Sequence, residues 1–121
     1  AASWGRLMEV QVFGIKNDAD TRKALRFFKE RRVTVHFVDL KQRAASLGEL
    51  RRFAQKFGVA ALVNTHAKRY AALCLGAAHL TDERWLATLA EQPLIVRLPL
   101  VRWQQRLTIG PAESEWRDWV S

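Results

Sequence analysis

The sequence is poor in the residues that do thiol and metal chemistry. One cysteine, Cys74, occurs in 121 residues. That excludes an internal disulfide, a multi-thiolate zinc site and a Cys-x-x-Cys redox pair. His36, His66 and His79 are the only histidines, and they show neither His-x-His nor His-x-x-x-His spacing, so no metal centre is expected. No apolar run approaches the ~18 residues a membrane span requires. There is no internal repeat and no low-complexity segment. The N-terminus lacks a basic stretch followed by an apolar core; no secretory signal is read there, and a cytoplasmic location is expected. Acid is the scarcer charge, with 12 Asp and Glu against 20 Lys and Arg and a net charge of +8.

What is present suits one globular domain. A hydrophobic fraction of 49% and a charged fraction of 26% exclude a disordered tail, and a chain of this length can bury a core without splitting. Ala1–Leu7 show no regular pattern and read as a cloning remnant or disordered leader, leaving 8–121 as the domain. The basic residues are interspersed with acids such as Glu30, Glu49, Asp82 and Glu115, so the high charge speaks first to solubility. Arg22, Arg26 and Lys29 fall on one helical face with Lys23 nearby, and Lys68 and Arg69 add to the basic set. Aromatic interleaving of the kind single-strand binders use is missing there apart from Phe27. A solvated face is favoured over an anion or RNA surface.

Glu9–Gly14 alternates β-branched and aromatic residues and predicts a strand. Asn17-Asp18 offers an N-cap, with Asp18 and Asp20 at the positive end of a helix that carries Ala24, Leu25 and Phe28. Val33–Leu40 is the strongest strand, and strand–helix–strand in about 32 residues fits a right-handed βαβ unit. Ser46-Leu-Gly-Glu49 is a capping box opening a second helix that Gly58 ends. Ala67–Leu75 predicts a short third helix, and Thr81-Asp-Glu caps a fourth running to about Glu91. Leu94–Val101, interrupted by Pro99, and Arg106–Ile109 are expected to pair as a hairpin, with Trp103 opening the turn. Pro111 then stands in the first turn of a last helix containing Trp116 and Trp119. The order predicts an α/β domain built on a mixed four-stranded sheet with an inserted helical region.

Several strings, in order, carry a family resemblance. Gly14-Ile15-Lys16-Asn17 followed by Thr21-Arg22-Lys23-Ala24 is similar to an opening G-I-x-N-C-D-T-x-K-K-A. Val38-Asp39-Leu40-Lys41, Glu49-Leu50, Leu62-Val63-Asn64-Thr65, Glu91-Gln92-Pro93-Leu94-Ile95 and Ile109-Gly110 match later segments. Together they resemble the ArsC/Spx/YffB (arsenate reductase-like) family of thioredoxin-fold proteins, over nearly all of Met8–Ser121. The resemblance implies a thioredoxin-like fold and a cis peptide bond at Leu98-Pro99. It also implies a redox thiolate at the N-terminus of the first helix, where the helix end lowers a cysteine's pKa. That position holds Asp18. The family's oxyanion-binding arginines fall on Leu98, Thr108 and Asn64, with Arg97 beside the first of these.

The resemblance thus implies a scaffold kept and a redox site lost. Asn17, Asp18, Asn64, Arg97, Pro99 and Arg102 are the binding candidates. Cys74 is the displaced-thiol candidate, although its apolar neighbours favour a core role. Asp18, Asp20 and Asp39 could meet at the sheet's C-terminal edge, but a helix cap explains the first two. The leading expectation is a non-redox binding or regulatory module without a cofactor. Its partner would be a protein, since Spx-like members act by contacting RNA polymerase. The rival is a glutathione-dependent thiol or arsenate reductase using Cys74 or an external thiol. The Cys74 sulfur's distance from the first helix and its exposure separate the two.

Overall fold

A computed structural model describes residues 8–73 and 79–120. In chain order the elements are β1 (Glu9–Gly14), α1 (Ala19–Glu30), β2 (Thr34–Asp39), α2 (Leu47–Phe57), a 3₁₀ turn (Val59–Leu62) and α3 (Lys68–Ala72). They continue with α4 (Asp82–Glu91), a second 3₁₀ turn (Pro93–Ile95), β3 (Leu100–Trp103), β4 (Arg106–Ile109) and α5 (Glu113–Val120). They fall into two compact units, one made of residues up to Leu40 and from Leu98 onward, the other of Lys41–Arg97. No helix among the described residues is long and apolar enough to cross a membrane.

The first unit holds the expected mixed sheet, in the order β2-β1-β3-β4. β1 and β2 run parallel, from Glu9 opposite Thr34 to Gly14 opposite Asp39. β3 joins β1 antiparallel, with Phe13 opposite Leu100, and β4 pairs antiparallel with β3. Alternation along β1 sends Val10 and Val12 to one face, both fully buried, while Glu9 and Gln11 face the other way. On the Val10 face lie Ala24, Phe27 and Phe28 of α1 with Trp116 and Trp119 of α5. The Trp116 ring sits 5.7 Å from Phe27 and 5.4 Å from Phe28, and Trp119 sits 5.8 Å from Trp103. Such aromatic pairs add to what area burial alone contributes. The Trp116 indole Nε1 donates to Thr108 Oγ1 at 2.8 Å, which fixes α5 on β4.

The second unit is helical. Ser46 and Glu49 form the expected capping box, each side chain accepting from the other's backbone N–H at 3.1 Å. Gly58 ends α2 at φ 86°, a left-handed backbone that glycine alone adopts without cost. Thr81 caps α4 by accepting from Arg84 N at 3.3 Å.

Three expectations are corrected. The strand expected over Leu94–Val101 begins only at Leu100. Ahead of it the chain pairs within the helical unit. Asn64 N donates to Ile95 O and Arg97 N to Leu62 O, both at 2.8 Å, around a Val63–Val96 bridge. Trp103 ends β3 rather than opening the turn, and the reversal falls on Gln104, at φ 56°. Pro111 precedes α5, which starts at Glu113. Of the helix expected over Ala67–Leu75, Lys68–Ala72 is helical, and the last two positions lie outside the described residues.

Candidate functional site

The chain leaves β1 at Gly14, turns through Ile15–Asp18 and enters α1. Asp18 N donates to Ile15 O at 2.9 Å, and Asp18 O accepts from Arg22 N at 3.0 Å, so the turn and the first helical bond share one residue. The Asp18 carboxylate folds back over the helix start. Its Oδ2 accepts from both Thr21 N and Thr21 Oγ1, each at 2.8 Å. Asp18 is therefore an N-cap that takes two donors on one oxygen.

Thr21 is fully buried, and Gly14 allows it to be. A Cβ at residue 14 would collide with Thr21 Oγ1 and Cγ2. Gly14, Thr21 and Asp18 thus interlock: the bare glycine admits the threonine, and the threonine hydroxyl finds the carboxylate. Thr21 was not among the residues singled out as site candidates. The available signal was the Asp-x-x-Thr spacing, which puts a hydroxyl at the third helical position, within reach of the cap.

The chemistry open to this arrangement is limited. The N-terminus of a helix attracts anions because its first N–H groups lack partners. Here the anion is the protein's own carboxylate, and the amide it engages is not free for a substrate. A carboxylate forms no disulfide and no thiol–arsenic bond.

The remaining candidates divide among three places. Extending the β1–β3 register by one step from the Phe13–Leu100 pair places Pro99 beside Gly14. Pro99 is buried, follows the expected cis bond, and accepts from Gly110 N at 2.9 Å. Asn17, exposed in the turn, and Asp18 belong to this place. Arg102 stands opposite Gln11, toward the other end of β1. Its Nε donates to Gln104 O at 2.7 Å, and it lines an open basin of about 520 Å³ with Glu9, Gln11 and His36. Asn64 and Arg97 lie in the helical unit, flanking the Val63–Val96 bridge. Asn64 Oδ1 accepts from His66 N at 3.0 Å, and Arg97 is exposed.

Asp39 ends β2 beside Gly14, and Asp20 is half-buried in the first turn of α1. Among the described residues no group of three or more His, Cys, Asp or Glu side chains could hold a metal ion. Cys74 lies outside the described residues.

The model of the ArsC family matches residues 13–119. Among solved structures, a YffB protein superposes with a TM-score of 0.85 at 20% identity, covering 93% of this chain and 99% of that one. An arsenate reductase from Vibrio cholerae superposes with a TM-score of 0.80 at 22% identity, covering 92% and 97%. A Staphylococcus aureus protein solved in solution gives 0.76 at 25% identity, covering 93% and 99%. The structural likenesses establish a thioredoxin-like fold of the arsenate reductase type. No curated protein matches the sequence.

Proposed function

The chain belongs to the ArsC family, and on that premise we propose that it is a member whose redox site has become a helix cap and which works as a non-redox binding or regulatory module. One observation carries this reading: Asp18 Oδ2 accepts from Thr21 N and Oγ1, both at 2.8 Å, at the helix end where the family resemblance puts a thiolate. Attack on arsenate or on a disulfide requires a thiolate. A carboxylate in its place also repels an incoming oxyanion. Two like charges ~4 Å apart cost about 4 kcal/mol at an effective dielectric of ~20. A protein partner follows from the resemblance to Spx-like members, which act through RNA polymerase, and a cytoplasmic site of action belongs to the same proposal.

The purified chain, supplied with glutathione, is expected to reduce neither arsenate nor a model disulfide above background. The Cys74→Ser variant should behave identically. Robust turnover that disappears in Cys74→Ser would overturn the proposal and leave a glutathione-dependent reductase in its place.

A further inference from the structure

The outer side of α1 carries four cations, two of which, Lys23 and Arg26, line a groove with Asp20, Glu30 and Glu113 without pairing to them. Arg22, Lys23, Arg26 and Lys29 are all exposed. Among the described residues none of the four has an ion-pair or hydrogen-bond partner for its side chain. By comparison, Arg51 meets Glu83 at 2.8 Å and Arg117 meets Glu113 at 3.2 Å, while Arg84 and Arg97 are exposed cations without an acid partner among the described residues. Glu30, the exposed acid of α1, is turned toward Arg31 at 4.0 Å. By helical geometry Arg22, Arg26 and Lys29 form one row about 10 Å long within about 60° of arc, with Lys23 alongside.

What the row lacks indicates its partner. Among the described residues the exposed large hydrophobics are Leu47, Phe57 and Leu94, none of them on α1. The helix's own aromatics, Phe27 and Phe28, are buried. A protein interface draws its energy from apolar and aromatic anchors at its centre, and single-stranded nucleic acid needs exposed rings on which bases stack. A duplex backbone needs neither. It is held by cations that neutralise phosphates and release counterions, and a guanidinium fork fits a phosphate.

We propose that the Arg22–Arg26–Lys29 row, with Lys23, is a docking surface for the phosphate backbone of duplex nucleic acid, independent of base sequence. The proposal does not depend on the state of the α1 N-terminus, since none of the four side chains takes part in the cap.

The test is fluorescence anisotropy of the full chain with a labelled random-sequence duplex of about 20 base pairs, over about 50–200 mM salt. Log affinity should fall against log salt with a slope of about −2.7 to −3.6, the value for three to four phosphate contacts. The triple variant Arg22→Gln, Arg26→Gln, Lys29→Gln should flatten that slope by about 2.7 and weaken binding at least about tenfold at the low-salt end, with unchanged thermal melting. Should the triple variant fail to fold, Arg26→Gln alone should flatten the slope by about 0.9. Arg84→Gln, an exposed cation of the helical unit, should leave both quantities as they are. No binding at low salt, a slope untouched by the α1 variants, or tighter binding to a single strand, to polyglutamate or to phosphatidylserine vesicles would each overturn the proposal.

Discussion

Asp18 Oδ2 receives two hydrogen bonds from one neighbour, the amide and the hydroxyl of Thr21, so replacing Asp18 costs more than an ordinary surface cap. Asp18→Ala removes the N-cap, typically worth about 1 kcal/mol, and leaves a buried hydroxyl without its acceptor, a further cost of about 1 kcal/mol or more. A loss of about 2 kcal/mol is expected in urea unfolding, with Asp18→Asn losing less because an amide oxygen still accepts. Gly14 is the second residue on which this corner depends. Gly14→Ala drives a methyl into Thr21 Oγ1 and Cγ2, and overpacking of that kind costs about 1–3 kcal/mol. Because Thr21→Ala removes both colliding atoms, the double variant should lose less than the sum of the two singles. A double-mutant cycle in urea reads this coupling directly; strict additivity would mean that the two residues are not in contact. The cap itself was legible in Asn17-Asp18 ahead of the helical pattern. The reach of the Thr21 hydroxyl to the cap lay in the Asp-x-x-Thr spacing, but its burial against Gly14 did not, because it depends on how closely β1 approaches α1, and sequence spacing does not carry that distance.

Elements whose ends are fixed locally were legible, and those fixed from a distance were not. Ser46 with Glu49, Gly58 and Thr81 each act within a few residues of themselves, and the helices they bound run where the pattern put them. β1 and β2 lie where their composition puts them and pair in parallel as expected. Leu94–Val101 has the composition of a strand, yet its first residues form a 3₁₀ turn and then meet Leu62–Asn64. A run of apolar residues names no partner, and here the partner lies about thirty positions upstream. The attachment of α5 depends in the same way on a contact between elements. The Trp116–Thr108 hydrogen bond is buried. Thr108→Val keeps the shape of the side chain but leaves the indole N–H without an acceptor, a cost of about 1–3 kcal/mol. Thr108→Ser keeps the acceptor and should lose less. Urea denaturation followed by tryptophan fluorescence distinguishes the two, and equal losses would mean that packing, not the hydrogen bond, holds α5.

For the molecule as a whole, on the proposed non-redox reading, the question is whether a thiol at position 18 is all that arsenate chemistry would need. Asp18→Cys in a Cys74→Ser background puts a single thiol at the N-terminus of α1, where the helix end favours the thiolate. That variant should exchange with oxidised glutathione to give a mixed disulfide, seen as a mass gain, since exchange asks only for an accessible thiolate. Arsenate reduction asks for more, because the oxyanion must be held by preorganised positive donors while sulfur attacks. The positions that the family resemblance assigns to such donors carry none. Leu98 is apolar, Thr108 is buried and bonded to Trp116, and Asn64 is engaged in its own turn through His66 N. Arg102 is tied to Gln104 O at the far end of β1. The variant should therefore gain thiol exchange and remain without arsenate turnover, measured side by side on the same preparation. Arsenate turnover restored by Asp18→Cys alone would show that the oxyanion site survives and that only the thiol was lost.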